Sequence, residues 1–202
     1  MSGFQAALSA NAAAFDVELS PETQAKLTDY YDLLNRWNAR LHLVAPCSAE
    51  EFATRHVLES LMLLKYLPPN AKIADIGSGA GLPIIPCLIA RPDLHATLIE
   101  SSQKKSVFLR EALNTVDRKA TTVARPFEEV PPPDVGFITC RALDQFMEKL
   151  PDLIRWAPQG STLMLFGGET LRQRLGEQTQ EFKIPLSERR FLFVTPEPKT
   201  PN

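Results

Sequence analysis

The sequence predicts an α/β fold, a parallel doubly wound sheet with helices on both faces and a helical extension at its N-terminus. Three observations carry this. Ile73-Ala74-Asp75-Ile76 is a short apolar run rich in β-branched residues; it leads into alternate glycines at Gly77, Gly79 and Gly81 and then into Leu82-Pro83-Ile84-Ile85-Pro86. Strand, glycine loop and helix open a ligand-binding α/β unit, with proline tolerated in the first helical turn. His95 to Glu100 reads as a second strand ending in a carboxylate, 25 residues after Asp75. Strands and helices then alternate as far as Phe166, and that alternation implies a parallel sheet.

Taken in order, Leu19-Ser20-Pro21-Glu22 is a helix start, with Ser as cap, Pro at the first position and an acid in the first turn. Leu27, Tyr30, Tyr31, Leu34 and Trp37 recur at helical spacing through Asn38, a stripe that reads as core packing. Ser48-Ala49-Glu50-Glu51 is a capping box for a second helix running to about Tyr66. Pro68-Pro69-Asn70 then separates a small helical lid or subdomain, residues 1–69, from a sheet domain, residues 70–195. After Glu100 come a helix with a basic face from Gln103, strand three at Ala120 to Ala124, strand four at Val135 to Cys140, a helix at Leu143 to Arg155 and strand five at Ser161 to Phe166. A polar helix from Glu169 to Gln180 follows. An antiparallel pair at Phe182 to Pro185 and Phe191 to Thr195 completes the fold, with residues 196–202 expected as a disordered tail.

Composition excludes several classes. At 202 residues with 44% hydrophobic content the chain has ample material for a core, and a net charge of −2 announces no nucleic-acid partner globally. Cys47, Cys87 and Cys140 form no Cys-x-x-Cys pair, which fits a reducing, cytoplasmic setting and argues against a disulfide scaffold or a zinc site. His42, His56 and His95 are not at metal-ligand spacing, so no metal is expected. The longest apolar run, Leu82 to Ala90, contains two prolines and is too short to cross a bilayer, and Met1 to Ala14 has neither the basic residues nor the apolar core of a signal peptide. A monomer with no membrane association is expected.

The glycine loop discriminates among ligands. The dinucleotide fingerprint requires glycine at its sixth position, where Leu82 stands, and there is no Gly-Lys-Ser/Thr for a phosphate loop. Asp75-x-Gly77-x-Gly79-x-Gly81 instead resembles the first motif of Rossmann-like S-adenosylmethionine-dependent methyltransferases. Glu100 then reads either as the acceptor of the ribose hydroxyls or as a solvated carboxylate at a strand end. The absence of an Asp/Asn-Pro-Pro-aromatic turn after strand four, where Thr139-Cys140-Arg141-Ala142 stands, disfavours N6-adenine methylation. Cys140 is either a nucleophile of the C5-pyrimidine type or a small buried residue, and the latter is favoured.

Five stretches carry a more specific resemblance: Leu34-Asn35-Arg36-Trp37-Asn38, Arg55-His56-Val57-Leu58-Glu59-Ser60, Asp75 to Pro86, Lys104 to Arg110, and Cys140-Arg141-Ala142. Together they make the chain similar to the small-subunit ribosomal RNA methyltransferase G family. The resemblance implies a seven-stranded sheet and transfer of a methyl group to N7 of a guanine in small-subunit (16S) rRNA. It implies S-adenosylmethionine contacts at Asp75, Gly77, Gly79, Gly81, Leu82 and Glu100, with Phe127 and Glu128 flanking the adenine. Arg141 matches an arginine at the family's cofactor and substrate site and is the catalytic candidate; a capping arginine is the alternative.

The chain departs from the family pattern twice, with His42 where the family usually has Asn and Gly167 where it carries Lys. Both positions are expected to border the site's mouth, which leaves open a different RNA or small-molecule substrate, or a cofactor-binding protein without rRNA activity. Local basic residues suited to RNA are Arg36, Arg40, Arg55 with His56, Lys104-Lys105 and Arg189-Arg190; solvated surface is the alternative for each.

Overall fold

The structure is a computed structural model that describes residues 3–141, 146–176 and 178–196. Its sheet has seven strands in the order β3-β2-β1-β4-β5-β7-β6. The strands are β1 Lys72–Ile76, β2 His95–Ile99, β3 Thr121–Val123, β4 Phe137–Cys140, β5 Thr162–Gly167, β6 Gln180–Lys183 and β7 Phe191–Pro196. The first five are parallel, with Ile73 opposite Ala96 on one side and Phe137 on the other. The last two run antiparallel and close the β5 edge, Leu165 facing Phe193. The chain leaves β1 toward β2 and β3, then returns past β1 to β4. Ligands of open α/β sheets bind at such a reversal, beyond the carboxyl ends of the strands.

Burial alternates along the strands as a two-faced sheet requires. Ile73, Leu98, Met164 and Phe166 enter one core; Ala74, Ile76, Leu163 and Leu165 enter the other. The first core also takes α5 Ile84–Ala90 and α6 Gln103–Thr115. The second takes α7 Phe146–Trp156 and α8 Glu169–Arg172.

The N-terminal helices belong to the first core. α1 Gly3–Asn11 precedes the two helices that the sequence announces; its Phe4 is fully buried and stacks on Tyr31 at 4.4 Å. α2 Pro21–Leu41 starts at Ser20, whose Oγ accepts from the Thr23 N–H at 3.1 Å. Tyr30 and Leu34 of α2 are fully buried, and Trp37 packs edge-on against Phe108 of α6. Phe4, Leu27, Phe52, Ile73 and Phe108 thus share one cluster, and the core is continuous across the boundary at residues 69 and 70.

The second announced helix is not a regular α-helix. After α3 Ala49–Glu51, residues Phe52–Leu58 are π-helical, α4 Glu59–Leu61 resumes the α register, and Met62–Tyr66 tighten to a 3-10 turn. The polar helix expected from Glu169 to Gln180 is only the single turn of α8; its chain turns away before Gly176 and re-enters the sheet as β6. The expected start of α7 at Leu143 and residues 197–202 of the expected tail lie outside the described residues, whereas Pro196, the first residue of that tail, ends β7 opposite Thr162. Among the described residues no helix is long and apolar enough to cross a membrane.

Tyr30 ties the helices to the glycine loop: its buried hydroxyl donates to the Ala80 carbonyl at 2.7 Å. Tyr30→Phe removes that bond and strands a carbonyl with almost no water access. The variant is expected to lose about 1–2 kcal/mol in urea unfolding.

Candidate functional site

A cavity of about 480 Å³ lies at the carboxyl ends of β1, β2 and β4. The glycine loop forms one wall through Gly77, Ser78, Gly79 and Ala80, with Leu82 beside it. Gly77 and Gly79 have φ of +67° and +50°, values that L side chains rarely adopt. The loop is held from β2: the N–H groups of Gly77 and Ser78 donate to the Ile99 carbonyl at 2.9 and 3.2 Å. Gly81 (φ +83°) faces inward, and a Cβ there would meet Ile85 Cδ1 at 2.3 Å. Its hydrogen atom is what lets α5 pack against the loop.

Glu100 is the hinge of this wall. One carboxylate oxygen accepts from the Gly79 N–H at 2.8 Å and the other from the Ser102 N–H at 2.8 Å. It therefore fixes both the glycine loop and the start of α6 while lining the cavity. A carboxylate has about four acceptor directions, so each oxygen keeps capacity for a ligand hydroxyl. Of the two readings of Glu100, the solvated strand-end carboxylate does not fit, because the group is buried.

Asp75 sits beneath the loop rather than on the cavity wall. Asp75 is 1% exposed, and neither carboxylate oxygen has a hydrogen-bond partner among the described residues; Ser78 Oγ donates to its main-chain carbonyl instead. Burial pushes its carboxyl up to about 8, and the nearby Glu100 charge acts in the same direction. Phe127 and Glu128 are also off the wall. The Phe127 ring is buried edge-on against Trp156 at 5.7 Å, and Glu128 pairs with Lys149 Nζ at 2.8 Å. Lys149 lines the cavity and is the link between it and that pair.

Arg141 does line the cavity, but its terminal nitrogens are committed to the chain. Nη1 donates to the His56 carbonyl at 3.1 Å and to Ser60 Oγ at 3.3 Å. Nη2 donates to the Arg55 carbonyl and to His56 Nδ1, the latter at 3.2 Å, and lies 3.4 Å from Glu59 Oε1. The other Glu59 oxygen accepts from Arg190 Nη1 at 2.5 Å. The guanidinium thus reaches the π-helical turn, where the wider register presents the carbonyls of Arg55 and His56. Burial pushes the Glu59 carboxyl up while Arg141 and Arg190 oppose it. Burial, with the charges of Arg141, Arg55 and Arg190, drives His56 down to about 3, so its imidazole is neutral at physiological pH.

Several cavity residues escape sequence reading. Leu43, Val44 and Ala45 cover one side, held by Asn38, whose side chain donates to the Val44 carbonyl and accepts from the Val44 N–H, both at 3.0 Å. Ser101 and Lys149 complete the lining with Lys105, one of the basic residues that the sequence marks as suited to RNA. His42 itself is exposed, does not line the cavity and caps α2 at φ +48°, a left-handed position that asparagine also favours at helix ends. That departure falls on a helix end rather than on the cavity. At Gly167 a Cβ would meet Leu171 Cδ2 at 2.5 Å, so glycine is what lets α8 close against β5. Cys140 is buried inside the sheet and does not line the cavity, which supports its reading as a small core residue. Ala142 lies outside the described residues. No group of three or more metal-ligating side chains exists among the described residues.

Two outcomes follow for stability. The folded chain keeps Asp75 protonated to about pH 8, whereas an unfolded chain releases that proton near pH 4. Between those values the unfolded state binds fewer protons, so stability falls as pH rises through the window and the loss is complete above about pH 8. Thermal unfolding from pH 5 to pH 9 should show this slope in the wild-type protein and a flatter profile in Asp75→Asn. Arg141→Ala takes the side-chain donor from the Arg55 carbonyl, leaves the His56 carbonyl with Ser60 Oγ alone, and leaves Glu59 with one cation instead of two. It is expected to cost about 3 kcal/mol in chemical unfolding, with Arg141→Lys recovering only part of it because a single ammonium cannot reproduce the fork.

Comparisons with known proteins bear on the family and the fold. The family model for rRNA small subunit methyltransferase G (GidB) matches residues 23–196. The chain is 40% identical over 139 residues to the ribosomal RNA small subunit methyltransferase G of Gluconobacter oxydans, covering 69% of each protein. It is 33% identical over 185 residues to that of Anaeromyxobacter sp., covering 90% of this chain and 82% of the relative. Among solved structures, the magnesium protoporphyrin IX methyltransferase of Synechocystis with bound SAM matches with a TM-score of 0.59 at 15% identity, over 89% of this chain and 99% of that one. The tRNA (m1A58) methyltransferase of Aquifex aeolicus matches at 0.53 and 9% identity, over 70% and 68%. At such identities these structures bear on the fold, which is that of the Rossmann-like methyltransferases. With the family model spanning most of its length, the chain belongs to the rRNA small subunit methyltransferase G family.

Proposed function

We propose that this protein transfers a methyl group from S-adenosylmethionine to N7 of a guanine in small-subunit ribosomal RNA. The observation that carries the reading is the cavity at the strand reversal, where bare glycine backbone and the Glu100 carboxylate face a wall bearing Lys105, Arg141 and Lys149. The residues present fit the cofactor. Gly77 and Gly79 expose backbone for close approach, Leu82 offers an apolar surface, and Glu100 keeps acceptor capacity for ribose hydroxyls. Asp75 and Gly81 act one layer below by shaping the loop, and Phe127 and Glu128 act through Lys149.

The cofactor supplies an electrophilic methyl group. The protein's own share is positioning, because guanine N7 carries an in-plane lone pair and no proton, so no general base is needed. The cavity suits a reaction of that kind. Glu100 is engaged by two N–H groups, and His56 Nδ1 is occupied by Arg141. His56 is therefore not placed to take a proton. The lysines offer positive potential to the phosphates of an RNA even though the whole chain is slightly acidic. Exposed Arg36, Arg40, Lys104 and Arg189 extend that potential outward. Arg55 and Arg190 are less available, being paired with Glu51 and Glu59. A ribosomal substrate also accords with a cytoplasmic location.

The test is transfer of labelled methyl to small ribosomal subunits that lack the N7 mark, beside naked rRNA and a Gly77→Arg control. Label mapped to one guanine N7, and absent in the control, is the expected result. Cofactor binding without label would move the substrate to another RNA or a small molecule.

A further inference from the structure

His56 stands out once Arg141 has been accounted for. It lines the same cavity as Leu82, Glu100 and Arg141. Arginine has donors only, so the 3.2 Å contact between Arg141 Nη2 and His56 Nδ1 requires Nδ1 to be the acceptor. The ring is neutral, and its one proton therefore resides on Nε2. No hydrogen bond within the protein uses that N–H among the described residues. The turn that carries His56 is fixed from several directions. Arg141 binds its carbonyl, Ser60 Oγ donates to the same carbonyl, and the Phe52 ring lies 5.1 Å from the imidazole. The result is a fixed, uncharged ring donor in a cavity that also carries the cationic Lys105, Arg141 and Lys149.

The Hoogsteen edge of guanine presents two acceptors, N7 and O6, whereas adenine presents N7 beside an amino donor. A nucleophilic N7 cannot accept a hydrogen bond on the lone pair it uses to attack, so a selective site must read O6 alone. A two-pronged arginine fork is unsuited to this, and both prongs of Arg141 are occupied in any case. A neutral imidazole N–H is single-ended and cannot protonate N7. We propose that His56 donates its Nε2–H to O6 of the target guanine and so selects guanine over adenine, with Arg141 as the positioning residue that fixes its tautomer. The proposal rests on the guanine-N7 reading above and names the group that enforces it.

The experiment uses small subunits reconstituted with rRNA in which the mapped target guanine is replaced by 2,6-diaminopurine. That base keeps N7 and the 2-amino group but puts an amino donor where O6 was. kcat/KM is measured on both substrates for the wild-type protein, His56→Ala, His56→Phe and His56→Gln, with the Kd for S-adenosylmethionine measured in parallel. The wild-type protein is expected to prefer guanine by about tenfold to a hundredfold, the range for a matched against an opposed buried donor. His56→Ala and His56→Phe should lose that factor on guanine alone, leaving the two bases nearly equal and the cofactor Kd unchanged. The phenylalanine variant keeps a ring in place and decides the matter if the alanine variant does not fold. His56→Gln, which retains an N–H donor, should keep part of the preference. An equal loss on both bases would show a merely structural histidine and overturn the proposal, as would an unchanged preference. A wild-type protein that leaves every guanine unlabelled would remove the N7 reading, and this inference with it.

Discussion

The buried junction between Arg141 and the Glu59 turn is the constraint on which the rest of the site depends. Arg141 leaves the end of β4 with its side chain 12% exposed and meets a Glu59 side chain that is 3% exposed. Such a pair is not a reliable source of stability, because removing two charges from water costs several kcal/mol per ion. What it does provide is registration. The guanidinium can satisfy the carbonyls of Arg55 and His56 only where the helix has opened to π geometry. The helix is thus locked in rotation and height against the sheet, and Arg190 secures the same carboxylate from the β7 side.

A second constraint lies under the glycine loop. Glu100 is satisfied by two backbone donors, yet Asp75, on the neighbouring strand, has none. Burial without donors is what pushes the Asp75 carboxyl up, and the Glu100 charge adds to that push. A ligand carrying hydroxyl groups meets the acceptor oxygens of Glu100, while the loop's underside is packed against Tyr30 and α5.

The sheet, the glycine loop and Glu100 were legible in the sequence because each has a local signature: β-branched runs, glycines where φ is positive, a carboxylate at a strand end. Arg141 was legible as a position after β4 but not as a contact, since its partners lie 81 to 86 residues away in the chain. The π-helical turn leaves no trace in hydrophobic spacing, because the carbonyls that it frees are satisfied from another element. The burial of α1 depends on Tyr31 and Phe52 from other helices. The loop at residues 43–45 looked like an ordinary connection; only the paired bonds from Asn38 fix it over the cavity. In every case what was missed is set by tertiary contact rather than by neighbours along the chain.

Arg141 and His56 together show how a site can favour methyl transfer to an atom that carries no proton. Acid–base machinery there would be a liability, since a charged imidazole would compete for the very lone pair that must attack. Burial and three nearby guanidiniums keep His56 uncharged, and the contact to Nδ1 removes its basic nitrogen from use. Glu100, the remaining acid on the wall, is anchored by the Gly79 and Ser102 N–H groups. The cavity thus keeps donors and positive charge, and its imidazole is not available as a base. That suits a nucleophile needing only to be held in line, and it disfavours exocyclic amines and hydroxyls, which must lose a proton as they react.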